Sequence, residues 1–381
     1  LSNRLSFFRR NIVSLTVIGC ITAAVLTYFY KPEYFDFIVQ PSARSLYERD
    51  LKKYPDQLER WNRLSKMAIN DSVLSGDSYS EIATSTAQNS FAAGYMVNIA
   101  QGESLLATIS MDSIQPSWIL EAYNNNGMLL ESAIANDSML SLHIKNGEAQ
   151  RLKIVVQSFL NITDTVQLKV YKQPLLEFPL AGKGNNAIQS FWGVARDGGR
   201  RSHEGNDIFA DRGHPVVAAA DGRISSVRDR GLGGKQIWLR DNLTNSSHYY
   251  AHLDSQLVTS GQRVSRGDTI GLVGNTGNAR TTPPHLHFGI YKTGGAVDPK
   301  PYIWQVPIPE DSQSLPLRPV AIGSGTGANL RSQPNANGGL IRNIQNDTLI
   351  ILGNSNDWYH IRTADSLAGF AHKSMIRLIE E

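Results

Sequence analysis

His203-Glu204-Gly205-Asn206-Asp207 and Pro284-His285-Leu286-His287-Phe288 offer imidazoles and a carboxylate that could grip a divalent metal and still leave an imidazole beside it. A catalytic zinc takes three nitrogen or oxygen ligands at roughly 2.0–2.2 Å and keeps a fourth position open. In His285-Leu286-His287 the histidines are two apart, so on a strand both leave the same face. One can bind metal while the other reaches toward a substrate or the metal's water, and that division of labour points to hydrolysis. Glu204 invites comparison with the base of H-E-x-x-H zinc proteases, but position 207 is Asp and no second histidine follows at helical spacing. The glycine-rich, β-branched surroundings favour loop and strand, and Glu204 reads as a bystander.

The context extends both strings. From His203 the chain reads H-E-G-N-D-I-F-A-D-R-G-H-P-V-V-A-A-A-D-G. Later come Y-A-H-L (250–253), G-Q-R-V-S-R-G-D-T-I-G-L-V-G-N-T-G (261–277) and P-H-L-H-F (284–288). In order, spacing and flanking glycines, residues 185–305 resemble the lysostaphin-type (LytM-like) zinc metallopeptidases that cut peptides of the bacterial cell wall. The resemblance implies one zinc ion held by His203, Asp207 and His287, with His285 and His252 free for catalysis. It also implies a groove on an antiparallel sheet with the metal on its floor. Two departures lie beside the ligands: Thr281-Thr282-Pro283-Pro284 replaces the usual Ser-Thr-Gly-Pro, and Gly289 stands where an acidic residue is common. They bear on substrate preference rather than on metal binding.

Zinc of this kind polarises a scissile carbonyl and brings a water pKa to about 7. A neutral imidazole near that water can take its proton, and a protonated one can stabilise the developing oxyanion. His252 and His285 fill both roles, in an order the sequence leaves open. The expected activity is endopeptidase cleavage of peptidoglycan stem or cross-link peptides. One rival is a non-catalytic wall-binding activator of peptidoglycan amidases, a role that relatives with lost ligands take; here every ligand position is intact. Another is a structural wall anchor in which metal only stabilises the fold. A regulatory protein partner that opens the groove is compatible with either.

The other histidines read as packing or solvated groups: His214 before Pro215, His248 in a polar stretch, and His143, His360 and His372 in other segments. Gly271-x-x-Gly274-x-x-Gly277 lacks the lysine of a P-loop and reads as turn punctuation. Cys20 is the single cysteine, which excludes disulfides and a thiolate metal site. A net charge of +3, without a basic stripe carrying interleaved aromatics, is no signature of nucleic-acid binding.

Around these residues the expected architecture is mainly β. Residues 1–10 form a basic cytoplasmic tail with Arg4, Arg9 and Arg10. The uncharged stretch 11–30 is long enough for a transmembrane helix, since twenty helical residues span about 30 Å. Basic residues before it favour a single-pass anchor in the inner (cytoplasmic) membrane, with the bulk in the periplasm or cell-wall space. Val17-Ile18-Gly19-Cys20 offers the alternative of lipoprotein anchoring at Cys20. Residues 31–88 read as a helical stalk and linker, with Ser42 capping one helix and Pro55 dividing it from the next. Residues 89–173 alternate as short strands of a β-sandwich accessory domain, 180–305 form the metallopeptidase domain, and 306–318 are a proline-rich linker. Residues 319–381 resemble a bacterial SH3-type β-barrel through Asn329-Leu330-Arg331-Ser332-Gln333-Pro334, Asp357-Trp358-Tyr359-His360-Ile361 and Gly369-Phe370-Ala371-His372. Trp358 reads as a core residue ahead of an aromatic platform for wall peptide.

Overall fold

The computed structural model describes residues 17–18, 21–22, 27, 30–111, 117–136, 138–145, 148–324 and 327–379. Most of the expected span 11–30, and all of the tail 1–10, lie outside the described residues. Among the described residues no helix is long and apolar enough to cross a membrane. The chain divides into two units, Leu1–Arg60 and Trp61–Glu381.

In the first unit the helix Ala43–Leu51 starts where Ser42 Oγ accepts the Ser45 N–H at 3.2 Å, satisfying one of the orphan donors of its first turn. The next helix, Pro55–Asn70, begins on the proline, whose missing N–H costs nothing at a helix start. Asp36 accepts a bidentate pair from Arg49 at 2.6 and 2.9 Å, and these bonds hold its carboxyl below the usual range.

The second unit holds two hydrophobic centres around the accessory and peptidase parts. The sandwich packs one sheet, built on Ala92–Ile99, Gln150–Ser158 and Trp118–Asn124, against another built on Ser78–Ser85, Asp164–Pro174, Glu103–Ser110 and Met139–Ile144. Tyr95, Val97, Leu105, Ile109, Leu120 and Ile154 fill the space between them. Trp61, fully buried, meets the Phe159 ring edge-on at 6.2 Å, and Ser65 Oγ donates to Gln157 Oε1 at 2.7 Å.

Ser78–Ser85 lies inside the stretch 31–88 assigned from sequence to stalk and linker. Its polar residues hide the alternation of a strand, yet it pairs along its whole length with Asp164–Tyr171. On its other side it meets Thr348–Ser355 of the C-terminal barrel through Ile82↔Asn354 and Ala83↔Gly353. A twelve-stranded sheet therefore runs from the sandwich into the barrel, and Leu352, Ala368 and Phe370 of the barrel join the sandwich core.

Polar groups lock this junction. Buried Glu81 accepts the Tyr79 hydroxyl at 2.5 Å, the Tyr95 hydroxyl at 2.6 Å, and the His360 Nδ1–H at 2.7 Å. Burial, reinforced by the Glu81 charge, raises both phenols well above their ordinary value. Arg362 reaches Asp71 with two bonds of 3.0 and 2.8 Å and donates to the Ala92 carbonyl at 2.7 Å.

The stretch 306–318, expected as a separating linker, is also tied down. Ser312 Oγ donates to the Ser80 carbonyl at 2.8 Å, Tyr359 Oη donates to the Pro316 carbonyl at 2.8 Å, and Leu315 and Leu317 pack on the barrel core. Prolines remove backbone donors without stopping side chains from docking, so composition alone reads as a spacer. Tyr359 is buried in the barrel, while Trp358 is half-buried with His372 edge-on at 5.2 Å.

Gly353 makes the sandwich–barrel pairing possible, because a Cβ there would lie 2.0 Å from the Ile82 carbonyl oxygen. Gly353→Val is expected to destabilise the junction by about 1–3 kcal/mol through overpacking. Urea denaturation checks the loss, and limited proteolysis should show 306–318 newly accessible.

The peptidase part is a ten-stranded sheet. Its main path runs Ile188–Ser190, Asn206–Phe209, His285–Lys292, Ser246–Gln256, Lys235–Asp241, Gly222–Asp229 and Arg263–Val264. Leu286, Phe288 and Ile290 point into its core with Ile208, Ile237 and Tyr250. The alternation of His285–Lys292 therefore commits His285 and His287 to the opposite face.

Candidate functional site

Three neighbouring strands set the site by register. Asp207 is the cross-strand partner of His287 on one side, and Ala251 is its partner on the other. Phe209 lies opposite His285. His203 enters from the loop before Asn206–Phe209. Gly205 lets it do so: a Cβ at 205 would stand 2.8 Å from His287 Nε2.

The result is a triad. His203 Nε2 is 3.0 Å from Asp207 Oδ1 and 3.1 Å from His287 Nδ1, and His287 Nδ1 is 3.0 Å from the same Asp207 oxygen. A tetrahedral ion with bonds of roughly 2.0–2.1 Å needs donor atoms about 3.3 Å apart. Two imidazole nitrogens and one carboxylate oxygen at this spacing fit such an ion, with little movement outward as it enters. These are the three residues that could hold a metal ion among those described. His203 is prepared for the task, since its Nδ1–H donates to the Phe191 carbonyl at 2.8 Å and leaves Nε2 for the metal. Burial works to raise the Asp207 carboxyl, but the imidazoles of His203 and His287 outweigh it and hold the group far below the carboxylate range. For His287 burial wins and lowers the imidazole, which favours the neutral ligand form.

The two other expected residues stand beside the triad without joining it. His285 Nδ1–H donates to the Pro283 carbonyl at 2.9 Å, its ring stacks on Phe209 at 5.0 Å, and its Nε2 lies 4.0 Å from Asp207 Oδ1. His252 adopts a positive φ of 62° and its Nδ1–H donates to the Thr276 carbonyl at 2.9 Å. The His252 and His285 rings meet edge-on at 5.1 Å. Both are thus held in the tautomer that leaves Nε2 as the free nitrogen. Burial, with the neighbouring His287 and His285, lowers His252 to about 4, so it is a neutral imidazole at ordinary pH.

All five residues line a cleft of about 470 Å³. Glu204 is on its rim, where it accepts the Tyr291 hydroxyl at 3.2 Å, and it makes no contact with the triad atoms. His214 donates to the Ala181 carbonyl, and buried His248 bonds Ser246 at 3.0 Å, in keeping with packing roles.

Sequence reasoning missed two groups. Arg196 Nη2 donates to Asp207 Oδ2 at 2.6 Å and to Ser190 Oγ at 2.7 Å, holding the carboxylate oxygen that faces away from the imidazoles. No spacing rule connects Arg196 to Asp207. Trp238, Tyr249 and Tyr291 form an aromatic floor, with Trp238 centred 4.5 Å from Tyr249 and 5.1 Å from Tyr291. Tyr291 shares a strand face with His285 and His287, so alternation from the histidines was its available signal.

Residues 201–299 match the family model of Peptidase family M23, and residues 326–377 match that of the Bacterial SH3 domain. An L-Ala--D-Glu endopeptidase of Bacillus subtilis is 41% identical over 138 residues, covering 33% of this chain and 42% of that protein. The Peptidoglycan DD-endopeptidase ShyC of Vibrio cholerae is 37% identical over 103 residues, covering 26% of this chain and 23% of that protein. The chain thus spans less than half the length of these curated relatives. The catalytic domain of lysostaphin from Staphylococcus simulans aligns with 33% identity and a TM-score of 0.28, over 31% of this chain and 92% of that domain. Residues 201–299, which carry His203, Asp207 and His287, thus form a domain of the peptidase M23 type, and residues 326–377 form a bacterial SH3 domain.

Proposed function

We propose that the chain is a membrane-tethered zinc endopeptidase that hydrolyses stem or cross-link peptides of peptidoglycan. The observation that carries the reading is the pairing of a two-nitrogen, one-oxygen metal triad with two imidazoles whose Nδ1 atoms are tied to backbone carbonyls. One zinc ion suits that donor set, and when bound it supplies Lewis-acid polarisation of the scissile carbonyl and acidification of a water. His203, Asp207 and His287 hold it. The free Nε2 of His285 and of His252 are the groups placed to accept a proton from the nucleophile, and the imidazole that has taken it can then donate to the developing oxyanion. Arg196 holds the Asp207 carboxylate in orientation through its bond to Oδ2, and the buried Nδ1 anchors stop either imidazole from turning away.

In this reading the stretch 11–30 anchors the chain in the inner membrane and places the peptidase in the periplasm or cell-wall space, with lipidation at Cys20 as the other means of anchoring. The two relatives, an L-Ala--D-Glu endopeptidase and a peptidoglycan DD-endopeptidase, give the two classes of bond to test first.

Purified peptidoglycan incubated with the chain should release fragments identifiable by mass spectrometry. Chelation should stop release completely and zinc should restore it. Intact peptidoglycan in the presence of fully metallated protein would overturn the enzyme reading in favour of an amidase activator.

A further inference from the structure

Arginines form a row at the end of the peptidase sheet away from the metal triad. Arg223 is the cross-strand partner of Arg240 on one side and of Arg263 on the other. Residues directly opposite on antiparallel strands project from the same face, and like charges placed so repel. With strands about 4.8 Å apart, the three Cα positions span roughly 10 Å. A row of three guanidinium groups in register is therefore a cost to the sheet.

The neighbouring acids do not relieve it. Asp241 is buried and accepts the Leu243 N–H at 2.8 Å and the Thr244 hydroxyl at 2.6 Å. Asp221 accepts the Arg266 N–H at 2.7 Å, and Glu177 pairs with the Arg266 side chain at 3.0 Å. Arg240 bonds the Asn245 side chain and Arg223 the Gly261 carbonyl, both neutral acceptors. Among the described residues none of the three arginines pairs with a carboxylate.

Arg223 and Arg263 line a pocket of about 600 Å³ at the seam with the accessory domain, and Lys145, Arg266 and His143 border it. The cationic field there is felt by His143: burial first, then Lys145 and Arg266, lower its imidazole to about 4.

We propose that this row and pocket bind a linear phosphodiester polyanion, laid across the strands so that successive phosphates meet Arg263, Arg223 and Arg240. Guanidinium forks match phosphate oxygens in pairs, and a span of roughly 10 Å exceeds a single phosphate. The pocket is concave and flanked by Ser104 and Leu243 of two different domains, a shape that admits one polymer strand and not a flat bilayer. Such a site would hold the peptidase on an anionic polymer while its cleft works on peptide.

The test uses the full chain in detergent, with short-chain inorganic polyphosphate as probe and fluorescence anisotropy as readout across a salt series. Wild type should bind at low salt, and Arg223→Gln/Arg263→Gln should bind at least about tenfold more weakly, with the slope of log K against log salt reduced by roughly one per arginine. Arg318→Gln, a change in the 306–318 segment, should leave binding unchanged. The double variant relieves like-charge repulsion, so its Tm should equal or exceed that of wild type and lost binding cannot be ascribed to unfolding. Equal polyphosphate binding by wild type and double variant would overturn the proposal. So would arginine-dependent binding to phosphatidylglycerol vesicles without binding to polyphosphate, which would make the row a membrane contact.

Discussion

His285→Ala is expected to lower kcat/KM on peptidoglycan peptides about 10²–10⁴-fold, the range for loss of a positioned acid or base, with zinc content unchanged. The side chain supplies no atom to the triad; its Nδ1 is spent on the Pro283 carbonyl and its ring rests on Phe209. Asp207→Ala should behave differently and lose metal and activity together, because its Oδ1 lies 3.0 Å from the ring nitrogens of both His203 and His287 and completes the triad. Metal analysis beside single-turnover kinetics separates the two outcomes. Full turnover in His285→Ala would remove it from the mechanism, and loss of zinc in that variant would make it a ligand. His252→Ala, measured in parallel, shows whether the two imidazoles act as a unit, since groups that share one proton path are far from additive.

The second large effect concerns stability. Arg362→Leu is expected to cost about 3–5 kcal/mol, because it leaves the Asp71 carboxylate buried without its cation. Both side chains are almost inaccessible, at 5% and 2% exposure, so solvent cannot take the partner's place. The Arg362 bond to the Ala92 carbonyl is lost as well. Urea denaturation followed by tryptophan fluorescence reads the change. The double variant Asp71→Leu/Arg362→Leu should recover much of it, since replacing a whole buried pair by apolar groups is often near neutral. If the single variant unfolds like wild type, the pair does not hold the junction between sandwich and barrel.

That junction changes how the C-terminal module is understood. A barrel on a flexible linker would raise substrate concentration by tethered search. Here its Thr348–Ser355 strand continues the accessory sheet, and Glu81, His360, Asp71 and Arg362 are buried between the two. Whatever the barrel binds is held at a set position relative to the sandwich.

The candidate triad was legible in the sequence because its members fall in two short strings whose residue types and spacing stand out. His285 and His287 share a face through the period of two, Asp207 sits on a strand of the same β-rich segment, and the type and order of the residues match those of a metal-binding set. The strands of the sandwich were legible for the same reason, as alternating apolar runs with polar breaks. Other features depend on residues distant in sequence. Ser78–Ser85 reads as linker because its inward positions are Tyr79, Glu81, Ala83 and Ser85, of which Glu81 becomes suitable for burial only once Tyr95 and His360 arrive to bond it. Arg196 becomes a support for Asp207 only when a hairpin folds it back, and three arginines become a row only when strand register aligns them. Residue type and short spacing by themselves determined which residues are the candidates for chemistry in this protein. Only the tertiary structure decided which groups support it and which modules are fixed together, because burial and cross-strand pairing are properties of contacts between segments that the order of residues does not contain.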